Sequence, residues 1–307
     1  MIINISGRTD IVNYYSDWLF KRFEEGYVLS RNSLFPNSVV RYELTPEKID
    51  CIIFGSKNYS PILDRIAEVT SMFNTYFYYT ITAYGKDVEP GVPDIDKSIN
   101  TLLKLSQIVG PQRIAWRYDP ILLTKKYTIE RHFEIFDYMS RQLSGHIDRC
   151  IFSFVEMYKK HEINFPELIP IKDEEFDIIA DGLSKIAKKH NIILQTCGSD
   201  KDYAQYGIFT SSCVTLDILG KSNCLKFKNL KHKGFRKGCH CIESRDIGSL
   251  NSCLSGCKYC YANKNARLPR ENYKLHDLNS PLLIGNIKSS DRLRTGIQRT
   301  FLVQDKK

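Results

Sequence analysis

The sequence lacks several features that would assign the protein to a familiar class. No apolar run reaches the ~18 residues that a transmembrane helix requires, so we expect no membrane-spanning segment. The residues 1–6 lack the basic start and long apolar core of a signal peptide, and we therefore expect a cytoplasmic protein. The motifs G-x-G-x-x-G, G-x4-G-K-[ST] and H-E-x-x-H are all missing, which removes any direct signal for a dinucleotide site, a P-loop or a zincin-type metal site.

Acidic residues are scarce in the last part of the chain. Residues 221–307 contain 19 Lys and Arg but only 6 Asp and Glu, a net charge of +13, whereas residues 1–220 carry 25 and 29, a net charge of −4. A basic segment attracts nucleic acid or another polyanion. The positive charge would equally offset the negative charge of an iron–sulfur–thiolate cluster, or the lysines would lie solvated on the surface. The sequence does not decide between these three interpretations.

Apolar strands alternate with amphipathic helical patterns over residues 1–220. This alternation predicts a parallel α/β sheet, and about eight units in ~220 residues is the size of a (β/α)8 barrel. We therefore predict a TIM-like barrel over 1–220, with a doubly wound open sheet as the alternative. The predicted strands are 2–5, 27–30, 51–54, 75–82, 113–117, 150–155, 192–196 and 207–210, and the predicted helices are 14–25, 60–71, 96–108, 128–143 and 174–190. Residues 221–307 lose this periodicity and are predicted to form an irregular, basic, cysteine-bearing extension that orders around a metal.

Polar residues follow most of the predicted strands. The carboxyl ends of parallel strands meet on one face, where barrel enzymes place their active sites. Basic groups there would bind a carboxylate or phosphate, and acidic groups would balance those charges or transfer protons. Helix capping is the competing explanation for any one of them, Asp10 in particular. The set is Ser6, Arg8, Thr9, Asp10, Lys57, Asn58, Tyr84, Lys86, Arg117, Asp119, Glu156 and Cys197, of which Arg8, Asp10, Lys57, Arg117, Asp119 and Glu156 are the candidate catalytic residues.

Ten cysteines in a reducing compartment are not expected to form a disulfide framework. Clustered cysteines indicate metal or redox chemistry instead. The sharpest cluster is Cys253-x3-Cys257-x2-Cys260. Three thiolates can hold a [4Fe–4S] cluster and leave one iron open to a ligand or substrate, whereas a purely structural cluster usually has four. We therefore predict a cluster on these three residues.

Zinc is the alternative metal for this segment. Structural zinc takes four ligands, commonly from two C-x2-C-like pairs. Cys257 and Cys260 would supply one pair, and Cys239 with Cys241 would supply the other, which leaves Cys253 without a role. In the iron–sulfur interpretation the candidates for a further ligand are Cys239, Cys241 and Cys197.

Eight segments of the chain match a known family: 6–10, 15–18, 82–87, 116–120, 246–248, 253–263, 276–277 and 280–281. Through these segments the chain resembles an uncharacterised bacterial family that is known only as a domain of unknown function. The resemblance implies a C-terminal cysteine cluster similar to the N-terminal cluster of radical S-adenosylmethionine (SAM) proteins, although only 47 residues follow Cys260 here, too few for the barrel that usually follows that motif. The family's first turn usually has Arg where this chain has Gly7.

Three functions follow from these observations. The first is an iron–sulfur enzyme, radical SAM-like, that acts on a small anionic substrate at the barrel mouth, with SAM as a candidate ligand of the open iron. The second is a nucleic-acid-binding protein whose basic tail is stabilised by zinc. The third is a barrel hydrolase or lyase with a structural cluster.

Overall fold

The computed structural model describes residues 1–199, 201–210, 212–228 and 241–303. Its strands are β1 (Ile2–Ile5), β2 (Tyr27–Arg31), β3 (Ser38–Glu43), β4 (Cys51–Ser56), β5 (Thr75–Thr80), β6 (Ile114–Ile121), β7 (Arg149–Phe154), β8 (Leu194–Thr196), β9 (Phe209–Thr210), β10 (Arg245–Asp246) and β11 (Arg292–Thr295). Its helices are α1 (Ile11–Tyr14), α2 (Ser16–Glu25), α3 (Ile66–Met72), α4 (Ile95–Val109), α5 (Ile129–Leu143), α6 (His161–Asn164), α7 (Asp173–Lys189), α8 (Leu216–Asn223) and α9 (Arg267–Tyr273). None of these helices is long and apolar enough to cross a bilayer.

The main sheet is parallel, which confirms the α/β prediction. Its strand order is β10-β1-β4-β5-β6-β7-β8-β9, and every pairing along it is parallel. From β1 to β9 the order follows the chain without reversing. A doubly wound sheet would reverse direction at a switch point, so the winding is that of a barrel.

The prediction of a closed barrel was wrong for the described part of the chain, where β9 and β10 form the two edges of an open sheet. Two features explain the open edge. The edge strand β9 spans only Phe209–Thr210. In addition, helix α8 packs on the sheet face that would line a closed barrel, where Leu216 and Leu219 join Ile53, Tyr78 and Ile151 in one apolar cluster.

Alternation along the strands produces two apolar layers. In β4, Ile52 and Phe54 belong to the large core beneath the crossover helices, whereas Cys51 and Ile53 belong to the smaller core beneath α8. This is the period of two expected when successive strand residues point to opposite faces. The central strands β4, β5 and β7 are therefore largely apolar on both faces, whereas Arg117 and Asp119 lie within β6 itself.

The predicted second strand exists but lies outside the main sheet. β2 pairs antiparallel with β3, and β3 pairs with β11 from the end of the described chain. The strands β3, β10 and β11 were not predicted. The proposed boundary at residue 220 falls inside α8, and the segment after it adds β10 to the main sheet and β11 to the small one.

His132 is a fully buried histidine held in its neutral form. Its Nδ1 lies 2.6 Å from the Tyr118 hydroxyl and its Nε2 lies 2.9 Å from the Leu122 carbonyl oxygen. Because a carbonyl only accepts, Nε2 carries the proton, and Nδ1 accepts from the tyrosine. Burial lowers the pKa of His132 to about 4.

We expect this histidine to make the protein less stable in acid. The unfolded chain binds the proton near the ordinary histidine pKa, so stability is full above pH ~6.5 and is lost as the pH falls toward 4. The loss amounts to about 3 kcal/mol in the free energy of unfolding. Urea denaturation of wild type and His132→Gln between pH 7 and 4.5 should show a flatter dependence in the variant; parallel curves would contradict the assignment.

Candidate functional site

The three clustered cysteines lie in an irregular loop at the carboxyl ends of the main-sheet strands. We call residues 252–263 the cysteine loop. Backbone hydrogen bonds join it to the segment after β5: the Lys258 N–H donates to the Val88 carbonyl at 3.0 Å, and the Gly91 N–H donates to the Ser255 carbonyl at 2.8 Å. The loop is therefore attached to the strand-end face by its own main chain.

Side chains from neighbouring elements hold the rest of the loop. Lys160, immediately before α6, donates to the carbonyl oxygens of Cys260, Tyr261 and Asn263 at 2.6, 2.9 and 2.8 Å. The Asn263 amide donates to the Cys253 carbonyl oxygen at 2.8 Å. These bonds satisfy main-chain groups that a loop without helix or strand leaves unpaired, and they close it on itself.

A buried carboxylate, Glu89, joins the loop to the sheet. One of its oxygens accepts hydrogen bonds from Lys57 Nζ at 2.9 Å, from Thr82 Oγ1 at 2.8 Å and from the hydroxyl of Tyr259. Glu89 is 2% exposed and the Lys57 side chain 15% exposed. Burial opposes the charge on Lys57, but Glu89 and Cys257 raise its pKa above the ordinary value.

The three thiols of the loop are half-buried and lie within electrostatic range of one another. Burial, with Asp10 and Cys260 nearby, raises the pKa of Cys253 to about 11. Burial and the charge of Glu89 also raise the pKa of Cys257 well above its ordinary value. Thiols in this setting ionise when a metal compensates their charge.

The residues described contain no group of three or more His, Cys, Asp and Glu side chains that could hold a single metal ion as placed. A single zinc needs all its donors about 2.3 Å from one point. In a four-iron cluster each thiolate binds a different iron, so the sulfurs stand farther apart. The loop brings together three thiols, which are soft ligands of the kind that iron–sulfur clusters and zinc both take.

Three of the candidate catalytic residues lie together beside this loop. Arg117 pairs with Asp119, and Asp119 also accepts a hydrogen bond from Ser153. Asp119 lies within electrostatic range of Lys57 and of Tyr261. Burial acts to lower the pKa of Arg117, but Asp119, Cys213 and Cys197 raise it. We call Lys57, Arg117, Asp119 and Tyr261 the strand-end site.

Two cationic groups beside the loop have hydrogen-bonding capacity to spare. The Nε of Arg117 is buried and has no hydrogen-bond partner in the described chain. Arg8 is half-buried and lies near Asp246, but within the same residues no hydrogen bond or ion pair holds its guanidinium. Such groups suit an anion that brings its own acceptors.

Asp10 has a structural position. It caps α1 by accepting from the Asn13 N–H at 3.0 Å, and it also accepts from Ser56 Oγ at 2.7 Å and the Lys57 N–H at 3.0 Å. Burial raises its pKa to about 6. Its oxygens thus hold β4 against the first loop, as the capping explanation anticipated.

Other predicted residues lie outside the strand-end site. Glu156 is exposed and accepts a hydrogen bond from Tyr158. Lys86 bonds to the Val92 carbonyl oxygen, and the Tyr84 hydroxyl bonds to Pro120 and Leu122. Cys197 and Cys241 both lie beside Cys213. Cys239 lies outside the described residues.

Sequence reasoning missed three residues that position the site: Glu89, Lys160 and Asp246. Asp246 accepts from Ser6 Oγ at 2.8 Å and from the N–H groups of Gly7 and Gly248, both at 2.7 Å. The segment 246–248 stood out only through the family resemblance. Glu89 and Lys160 lie in loops between regular elements, where no periodicity identifies a partner.

Removing the Glu89 charge should destabilise the fold by roughly 3 kcal/mol, because it leaves the Lys57 cation buried and unpaired. Urea denaturation of Glu89→Gln at pH 7 measures this loss. Glu68→Gln removes the exposed ion pair with Arg65 and should cost less than about 1 kcal/mol. Adding Lys57→Met to Glu89→Gln should recover part of the loss, and equal costs in the two single Glu variants would refute the assignment.

A family model covers most of the chain. The model described as "Domain of unknown function (DUF1848)" matches residues 2–262, from β1 to the end of the cysteine motif. The match therefore includes the strand-end site and all three cysteines of the loop. No curated protein and no solved structure matches the chain. The chain belongs to the DUF1848 family of domains of unknown function.

Proposed function

We propose that the protein is an iron–sulfur enzyme in which Cys253, Cys257 and Cys260 hold a [4Fe–4S] cluster beside the strand-end site. The observation that supports it best is the attachment of the three-thiol loop to the strand-end face through Glu89, Lys160 and the segment 88–91. A loop that only stabilised the tail would not need buried contacts at the place where the charged residues of the strands converge.

Such a cluster would supply an open iron able to bind SAM or substrate. The residues around it would do the rest. Lys57 and Arg117 attract an anionic group, and Glu89 and Asp119 keep these cations in place and charged. The Tyr259 ring lies 5.9 Å from the Tyr84 ring and covers the inner side of the loop. The substrate class that fits is a small carboxylate or phosphate.

Metal analysis of the anaerobically purified protein tests the cofactor. We expect iron and acid-labile sulfide, with about four of each assigned to this loop, and broad visible absorption that is lost on reduction. Cys257→Ala should lose this iron, whereas Cys224→Ser, at an exposed cysteine, should retain it. A colourless protein with stoichiometric zinc and no sulfide would overturn the proposal in favour of the zinc-stabilised tail.

A SAM titration of the reduced protein tests the open iron. We expect the EPR spectrum of the cluster to change as SAM binds, because the ligand enters the coordination of one iron. Arg117→Lys removes the planar fork that grips a carboxylate and should weaken the titration. An iron–sulfur protein whose spectrum does not respond to SAM would leave direct activation of substrate, or a structural cluster, as its role.

Gly91 should control how firmly the loop holds its metal. A Cβ added there would lie 2.9 Å from the Ser255 main chain, which is too close to accommodate without moving the loop. We expect Gly91→Ala to lose iron faster than wild type on exposure to a chelator. The control Gly55→Ala meets nothing nearer than 3.7 Å and should behave as wild type. Identical iron loss in both variants would contradict this role of Gly91.

A further inference from the structure

A second group of three thiols lies apart from the cysteine loop. Its members are Cys197, directly after β8, Cys213, between β9 and α8, and Cys241, shortly before β10. They come from three distant segments and are brought together only by the fold. Their side chains contact one another.

The three sulfurs are close together. The Sγ atoms of Cys213 and Cys241 are 3.1 Å apart, and Cys197 lies within hydrogen-bonding reach of both. Cys241 is 4% exposed, and the other two are half-buried. By contrast, Cys51 and Cys150 are buried as single cysteines in the apolar layers.

The backbone at each thiol is held by hydrogen bonds. The Cys197 N–H donates to the Phe152 carbonyl at 3.1 Å, and the Tyr78 hydroxyl donates to the Cys213 carbonyl at 2.6 Å. Next to Cys241, the Ile242 N–H donates to the Val214 carbonyl at 3.1 Å. The three thiols are therefore held near one another by the sheet and its loops.

We propose that Cys197, Cys213 and Cys241 are ligands of a second thiolate-bound metal centre, which takes zinc or iron. A separation of 3.1 Å is longer than the ~2.05 Å of a disulfide and shorter than the ~3.8 Å between two sulfurs on one tetrahedral zinc. As placed, the three thiols do not surround one point and do not form a group that could hold a single ion. Side-chain rotations that moved each sulfur by less than an ångström would bring Cys213 and Cys241 to metal-binding separation.

A disulfide explains the group less well than a metal does. Joining Cys213 to Cys241 would release two protons and two electrons, which an oxidant such as a peroxide would have to accept. It would also leave the Cys197 thiol beside the new bond, where thiol–disulfide exchange would open it again. A metal uses all three sulfurs at once and needs no oxidant.

Metal content per chain, measured on the full-length protein purified anaerobically, tests this site separately from the cysteine loop. We expect Cys213→Ser and Cys197→Ser to lose about one equivalent of zinc, or the iron and sulfide of a second cluster, while the metal of the cysteine loop remains. Cys257→Ala should show the converse loss, and Cys51→Ser should lose neither. Unchanged zinc and iron in Cys213→Ser would overturn the proposal.

Alkylation of the wild-type protein keeps the test valid where a variant fails to fold. With N-ethylmaleimide as the probe, we expect Cys197, Cys213 and Cys241 to react only after a chelator removes the metal, whereas the exposed Cys224 reacts at once. Mass spectrometry identifies the modified residues. Reaction that does not depend on the chelator, or a Cys213–Cys241 disulfide in the anaerobic protein, would refute the metal centre.

Discussion

The arrangement of the site depends on the hydrogen bonds that one buried oxygen of Glu89 accepts. The cysteine loop has no helix or strand of its own, so its place must come from contacts with neighbouring segments. Glu89 supplies one by accepting from Lys57 and Thr82 on one side and from Tyr259 on the other. A buried charge is tolerated only when it is paired and hydrogen-bonded. The same ion pair therefore fixes both the loop and a cation that lies near Cys257.

Much of the fold could be predicted because its signal is local. Apolar strands followed by amphipathic helices predict a parallel sheet, and β1, β4, β5, β6 and β7 all lie in it. Closure of the barrel could not be predicted. It depends on the length of the edge strand β9 and on which residues pack against the inner face of the sheet. Here α8 covers that face. The pairing of β3 with β11 depends likewise on a segment more than 250 residues away.

Part of the site could likewise be predicted from the local sequence, whereas another part depends on tertiary contacts. Parallel strands must end on one face, so the proximity of Lys57, Arg117 and Asp119 follows from the sheet alone. A short spacing also reveals the thiols of the cysteine loop. No short spacing in the sequence reveals the group formed by Cys197, Cys213 and Cys241. Its members are far apart along the chain and come together only in the folded structure.

The cations of the strand-end site lie near both groups of thiols. Lys57 lies near Glu89 and Cys257, and Arg117 lies near Asp119, Cys197 and Cys213. Each cation thus has a carboxylate and at least one thiol nearby. If both groups bind metal through thiolates, the added negative charge would lie near Lys57 and Arg117, each of which already has a carboxylate partner. Arg8, whose guanidinium no hydrogen bond or ion pair holds in the described chain, would then add a cation without such a partner to Lys57 and Arg117 in binding an anionic substrate.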